Sequence, residues 1–237
     1  KEEINKLPEF LNLKKISKKM GRDKFIIQGG GGNTSLKYNN LLIIKASGKM
    51  LEKAESEDIF IPLFLDLIVN QIKKDRSLKS DLKLSPLIET SLKPSIETAL
   101  HAVMPHRVVL HSHPINILAS TLSEETFNSL PNKLSNFSWQ LINYARPGYP
   151  LANLIKKSIS QKKSNVFILK NHGLIVGAET VKEAEKLQNE VINKMSIEPR
   201  SILSPKLSEL YKIKGLIPNS KLPSKDIIHS LATDKWS

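Results

Sequence analysis

The chain has 237 residues, 40% hydrophobic and 25% charged, enough for one large domain or two small ones with a sizeable core. It has no cysteine, which excludes disulfides and thiolate metal ligands and fits a reducing compartment such as the cytoplasm, or indifference to redox compartment. The net charge is +13, but the lysines are dispersed, aromatics are only 5% and no recognition motif accompanies them, so the charge reads as a lysine-rich surface and not as a nucleic-acid site.

Residues 8–20 set Phe10, Leu11, Leu13 and Ile16 among lysines and predict a helix. Residues 25–28 read as a short strand running into four consecutive glycines, 29–32. Such a run permits positive φ and close backbone approach to a ligand. It is either a flexible hairpin loop or a nest of backbone N–H groups for an anion, with Asn33 and Ser35 adding side-chain donors. It is neither a Walker loop nor a GxGxxG turn opening a helix. Residues 41–45 predict a strand, and Lys45, Ser47 and Gly48 either continue the anion site or form its exit turn only. Residues 55–74 carry a helix-like pattern. The longest apolar run, 59–69, is broken by Pro62 and Asp66 and is too short to span a bilayer. No signal-peptide pattern is visible, and a start at Lys1 suggests a trimmed native N-terminus. Residues 75–92 read as a polar loop.

Pro94 suits the first turn of a helix whose stripe is Ile96, Leu100, Val103 and Met104, closed by Pro105. Glu97 lies near its start, as a first-turn carboxylate or as a general base beside a metal, with His101 four residues on in a packing or supporting role. The apolar run 108–110 then ends in His111-Ser112-His113. In a strand, positions i and i+2 share a face, so two imidazoles converge. An HxH pair alone is weak evidence, since histidines are more often satisfied polar residues. A third histidine, His172, ends a second strand-and-turn segment, 166–173. Three His ligands with an open fourth position describe a catalytic site rather than a structural one. Between them, 115–122 predicts a helix that 124–127 extends, 144–150 is turn-rich, and 151–161 predicts a helix. Residues 174–178 predict a strand and 180–195 an amphipathic helix; from 196 onward the chain is Pro/Ser/Lys-rich and reads as an extended arm. Alternating strands and helices with hairpin-short connections predict an α/β domain with a mixed sheet. His106 and His229 have no evident role and read as surface residues.

In this order, Gly31-Gly32-Asn33-Thr34-Ser35, Lys45-Ala46-Ser47-Gly48, Pro94-Ser95-Ile96-Glu97, His111-Ser112-His113-Pro114 and Asn171-His172-Gly173 resemble the class II aldolase/adducin family. The likeness covers roughly residues 8–195, and its wording is nearest to rhamnulose-phosphate and fuculose-phosphate aldolase-like members. The resemblance implies a three-layer α/β/α fold around a largely antiparallel sheet over residues 1–195, with 196–237 as a C-terminal extension or arm packed on the same domain. It implies a homotetramer with sites between subunits. It also implies a divalent metal on His111, His113 and His172, zinc first and manganese, cobalt or iron as alternatives. Glu97 then serves as proton shuttle, and Gly32, Asn33, Ser47, Gly48 and Ser95 bind the substrate phosphate. A tyrosine donates a proton in some members; Tyr144 and Tyr149 are the candidates here by position. Ile96 stands where many members carry a second serine, which removes one phosphate donor; Lys45 compensates, or the substrate's anion differs.

The chemistry that follows is a metal-dependent lyase making or breaking a C–C bond in a small phosphorylated keto-sugar through an enediolate. A divalent cation on three neutral imidazoles keeps its full charge for that anion. A carboxylate tuned by desolvation moves the proton at carbon. The phosphate grip supplies remote binding energy. The same site supports 4-epimerisation, dehydration or decarboxylation. A non-catalytic, adducin-like interaction module is the competing class.

Overall fold

Pro8 opens the first long helix: after the short α1, Glu2–Lys6, the chain enters α2, Pro8–Arg22, where proline's missing N–H costs no hydrogen bond. The computed structural model describes residues 2–74, 84, 86–87, 89–122 and 124–196, which fall within one unit, Lys1–Ser196. The expected C-terminal arm lies outside the described residues, as do His229 and most of the 75–92 loop.

Residues 25–28 form no strand. They are a turn whose Phe25 and Ile26 carbonyls accept from Ile115 and His113, so the segment spends its backbone groups outside any ladder. Strands β1, Asn33–Tyr38, and β2, Leu41–Lys45, form a hairpin through Asn39 at φ 52°, a conformation asparagine tolerates. The helix expected over 55–74 splits into β3, Phe60–Phe64, and α3, Leu65–Lys74. Pro62 decides the difference. It cannot sit inside a helix, but β3 is an edge strand, where a residue without an N–H is tolerated.

Helix α4 runs Thr98–Val103, with Glu97 as its N-cap, so it begins four residues later than Pro94 suggested. Residues 95–97 instead make a turn in which Thr98 N–H donates to Ser95 O. Strand β4, Val108–Ser112, is followed by α5, Ile115–Leu122, α6, Glu124–Asn128, and α7, Leu130–Lys133. Strand β5, Trp139–Ile142, was not legible, because its four residues lack a clear alternation of apolar and polar positions. Helix α8, Tyr149–Gln161, strands β6, Val166–Leu169, and β7, Gly173–Ala178, and α9, Val181–Lys194, complete the unit. Thr180 and Glu183 close a reciprocal capping box at the start of α9.

The seven strands run in the order β3-β2-β1-β4-β7-β6-β5, and every pairing is antiparallel except β5 with β6. Both faces are covered, giving three α/β/α layers. Val108 and Leu110 of β4 pack with Leu13 of α2 and Val191 of α9; Val109 packs on the opposite face with Leu100 of α4 and Ile155 of α8. This double burial explains why β4 reads as a continuous apolar run. It also places the C-terminal end of β4 at the middle of the sheet, between β1 and β7.

Candidate active site

The side chains singled out in the sequence meet at that end of β4. Asn33 of β1 stands opposite His111, and His111 opposite Ile175 of β7. His111 shares the face of Val109 and is wholly buried. His113 follows on the same side, while Ser112 turns to the other layer and donates to Gln188 of α9. His172 comes from the tight β6–β7 connection, where Asn171 takes φ 57° and His172 N–H donates to Leu169 O. Gly173 follows because no side chain fits: a Cβ there would lie 2.3 Å from Ser112 O. That close approach sets His172 against β4.

The imidazoles of His111, His113 and His172 offer nitrogens that all lie within 4.8 Å of one another. His113 Nε2 and His111 Nε2 are 3.0 Å apart. His111 Nδ1 lies 3.0 Å from Leu174 O; donation to that carbonyl fixes the tautomer and turns the Nε2 lone pair inward. Glu97, at the N-cap of α4, brings Oε1 to 3.3 Å from His111 Nε2 and 3.6 Å from His172 Nε2. Burial pulls the three histidines down, His111 to about 4, His113 to about 3 and His172 to about 4. They are therefore neutral at pH 7, the form a metal requires. Burial raises the Glu97 carboxyl, with His172, His113 and Lys45 opposing.

These residues fit a divalent cation. Tetrahedral bonds of about 2.05 Å put ligand nitrogens about 3.3 Å apart, close to the 3.0 Å between the two Nε2 atoms. With its Nδ1 donating to Leu174 O, His111 Nε2 is an acceptor that the Nε2–H of a neutral His113 can serve, and in its other tautomer His113 turns a second Nε2 lone pair toward a shared cation. A set of three nitrogens and no thiolate suits zinc and its neighbours rather than calcium or magnesium.

The expected anion donors gather beside this cluster. Asn33 is buried, its Nδ2 2.6 Å from Ser95 Oγ, which also accepts from Glu97 N–H; Asn33 Oδ1 has no partner. Gly32 holds φ 68°, and a Cβ there would meet Ile27 at 2.3 Å and His111 O at 3.0 Å, so only glycine brings this loop against β4. Ser47 N–H donates to Lys93 O, joining the β2 exit turn to the segment before Ser95. Lys45 is buried. Ser35 stands apart from the other expected donors: it is fully buried, with its Oγ 2.8 Å from His101 Nδ1. The Tyr149 hydroxyl donates to Ile72 O in α3, whereas Tyr144 is 61% exposed. Ile96 is 67% exposed and lies over Gly148. His106, expected at the surface, is half-buried against Gly177. Sequence reasoning missed the Ser35–His101 pair; the Glu97/His101 spacing was the one available signal.

Residues 12–197 match the profile of a family described as the Class II Aldolase and Adducin N-terminal domain. The chain is 28% identical over 204 residues to the Bacillus subtilis protein YuxG, named an uncharacterized oxidoreductase; the match covers 75% of this chain and 29% of that protein. The chain thus spans under a third of that relative's length. It is 27% identical over 185 residues to the L-fuculose phosphate aldolase of Methanococcus vannielii, covering 73% of this chain and 86% of that one. The solved N-terminal class II aldolase domain of a conserved Thermoplasma acidophilum protein superposes with a TM-score of 0.67 at 27% identity, covering 78% of this chain and 90% of that domain.

Proposed function

The chain belongs to the class II aldolase and adducin family, and on that premise we propose that it is a metal-dependent aldolase acting on a small phosphorylated keto-sugar through an enediolate. One observation carries the reading: three neutral imidazoles and one buried carboxylate converge within a few ångströms at the centre of the sheet. His111, His113 and His172 hold the cation, zinc by preference. When bound, it supplies a Lewis acid for the negative charge that develops on the substrate's oxygens.

Glu97 moves the proton at the reacting carbon. Burial raises its carboxyl above the usual carboxylate range, which suits a group that takes and returns that proton. Gly32, Asn33, Ser47, Gly48, Ser95 and Lys45 hold the substrate's anionic end and so position the reacting carbon. Ser35 supports His101 rather than the substrate. Of the two tyrosines, Tyr144 is the candidate proton donor, since the Tyr149 hydroxyl is spent on Ile72. A homotetramer in the cytoplasm with sites between subunits completes the proposal; among the described residues no helix is long and apolar enough to cross a membrane.

The oxidoreductase name of the Bacillus relative does not transfer through the glycine loop. Residues 29–32 lead into strand β1, so the helix N-terminus on which a dinucleotide pyrophosphate sits is missing. Epimerisation by retro-aldol cleavage and re-addition, dehydration and decarboxylation all need the same stabilisation of an enolate-type anion, and product analysis separates them. The test is aldol addition of dihydroxyacetone phosphate to a small aldehyde. Chelation abolishes it, zinc restores it, and Glu97→Gln lowers kcat about 100-fold or more while the metal stays bound. Activity surviving both chelation and Glu97→Gln overturns the mechanism. A chain purified without chelator that holds no divalent ion supports the interaction module instead.

A further inference from the structure

Lys45 lies at the end of β2 and is only 3% exposed, yet among the described residues no carboxylate forms an ion pair with its ammonium. Its Nζ donates to Gly30 O at 3.1 Å and to Lys49 O at 2.8 Å. Those carbonyls belong to two different loops: Gly30 to the glycine loop before β1, Lys49 to the turn that follows β2. Among the described residues no backbone hydrogen bond joins these loops directly. Burying an ammonium without a counter-charge in contact is unfavourable, and Lys45 is accordingly held down to about 8, with Glu97 opposing. A lysine retained there against its own desolvation needs a reason other than folding stability.

We propose that Lys45 is a positioning residue that preassembles the anion-binding end of the site by cross-linking the glycine loop to the Ser47–Gly48 turn through two main-chain carbonyls. Two of its three N–H donors are committed to those carbonyls, so it acts first on the loops. Each loop carries or leads into candidate donors, Gly32 and then Asn33 at the start of β1 on one side and Ser47 and Gly48 on the other. One ammonium therefore sets the distance between both halves of the grip. Its charge adds a positive potential at the spot an anion occupies, and an anion bound there relieves the burial of that charge. The expected ligand is a phosphate monoester or inorganic phosphate. This inference rests on the sugar-phosphate reading above.

The experiment uses the metal-loaded protein with inorganic phosphate as probe, and compares wild type with Lys45→Met and Lys45→Arg. Methionine fills a similar volume without charge. A residue that merely staples the fold predicts that Lys45→Met melts lower. The positioning role predicts a metal-loaded Lys45→Met with unchanged metal stoichiometry, melting at or above wild type, and binding phosphate about tenfold or more weakly, the scale of a lost charge-assisted hydrogen bond. Amide hydrogen exchange at residues 29–32 and 46–49 quickens in the same variant. KM for dihydroxyacetone phosphate rises while that for unphosphorylated dihydroxyacetone stays put. Lys45→Arg keeps the charge and recovers part of the phosphate affinity. If Lys45→Met does not fold, Lys45→Arg carries the test, because its altered donor geometry still predicts faster exchange in both loops. Unchanged phosphate affinity and unchanged loop exchange in a folded variant overturn the proposal. Wild type that binds neither phosphate nor a phosphorylated donor overturns the sugar-phosphate reading, and this inference with it.

Discussion

Lys37 and Lys45 are the residues whose burial the solution pH exposes. Desolvation brings both amines from 10.5 down to about 8, with Glu179 and Glu97 respectively opposing. Between pH 8 and 10.5 the folded chain holds these amines largely neutral while the unfolded chain keeps them protonated. The unfolded state then binds more protons, so stability rises with pH across that window, by at most about 3 kcal/mol per lysine. Urea midpoints at pH 8 and pH 10 measure it: wild type gains stability, and Lys37→Met, which removes one of the two groups, gains less. Equal gains in both proteins sink the assignment to Lys37. At this scale the sequence already carried the convergence of His111 and His113, because the strand period fixes which side chains share a face. It also carried Glu97, because helix starts favour carboxylates. It could not show that Ser35 is spent on His101 or Tyr149 on Ile72. Those partners lie 66 and 77 residues away, and no local spacing encodes them.

Elements were legible where pattern and punctuation agreed. Strand β4 has its apolar run and α9 its amphipathic pattern over 180–195, and both stand where the sequence put them. Residues 55–74 misled because an edge strand and a helix follow each other without a loop, and their apolar positions merge into one helical-looking stripe. The start of α4 misled because Pro94 favours a first turn, whereas Ser95 bonds back to the chain and delays the helix to Thr98. The β6–β7 connection is the element on which the candidate site depends most. A side chain at Gly173 would meet the Ser112 carbonyl, which is backbone and cannot swing aside. Gly173→Ala therefore separates the start of β7 from the end of β4 and shifts His172 away from His111 and His113. Metal affinity is expected to fall about tenfold or more, the scale of losing a residue that orients a ligand. Zinc titration against a competing chelator measures this, and wild-type affinity in Gly173→Ala refutes the close-packing account of that turn.

For the whole molecule, the three histidines tie together regions that fold far apart in sequence. His111 and His113 come from the centre of the sheet and His172 from a turn about 60 residues later, so no ligand set exists in the unfolded chain. A cation that binds the folded state alone stabilises it by mass action, about 4 kcal/mol when free metal exceeds Kd a thousandfold. For a unit of this size each kcal/mol moves the melting point by about 2–4 °C, so the full effect is roughly 8–16 °C. The metal-loaded protein is expected to melt higher than the chelated protein by an amount of that order. His172→Ala, which leaves two ligands on one strand, loses most of the difference while its chelated form melts near chelated wild type, because His172 is only partly buried. Scanning calorimetry of both proteins with zinc and with chelator decides the matter. A chelated wild type that melts with the loaded protein removes the metal from the site, and leaves the converging imidazoles as a neutral, self-paired cluster in the core.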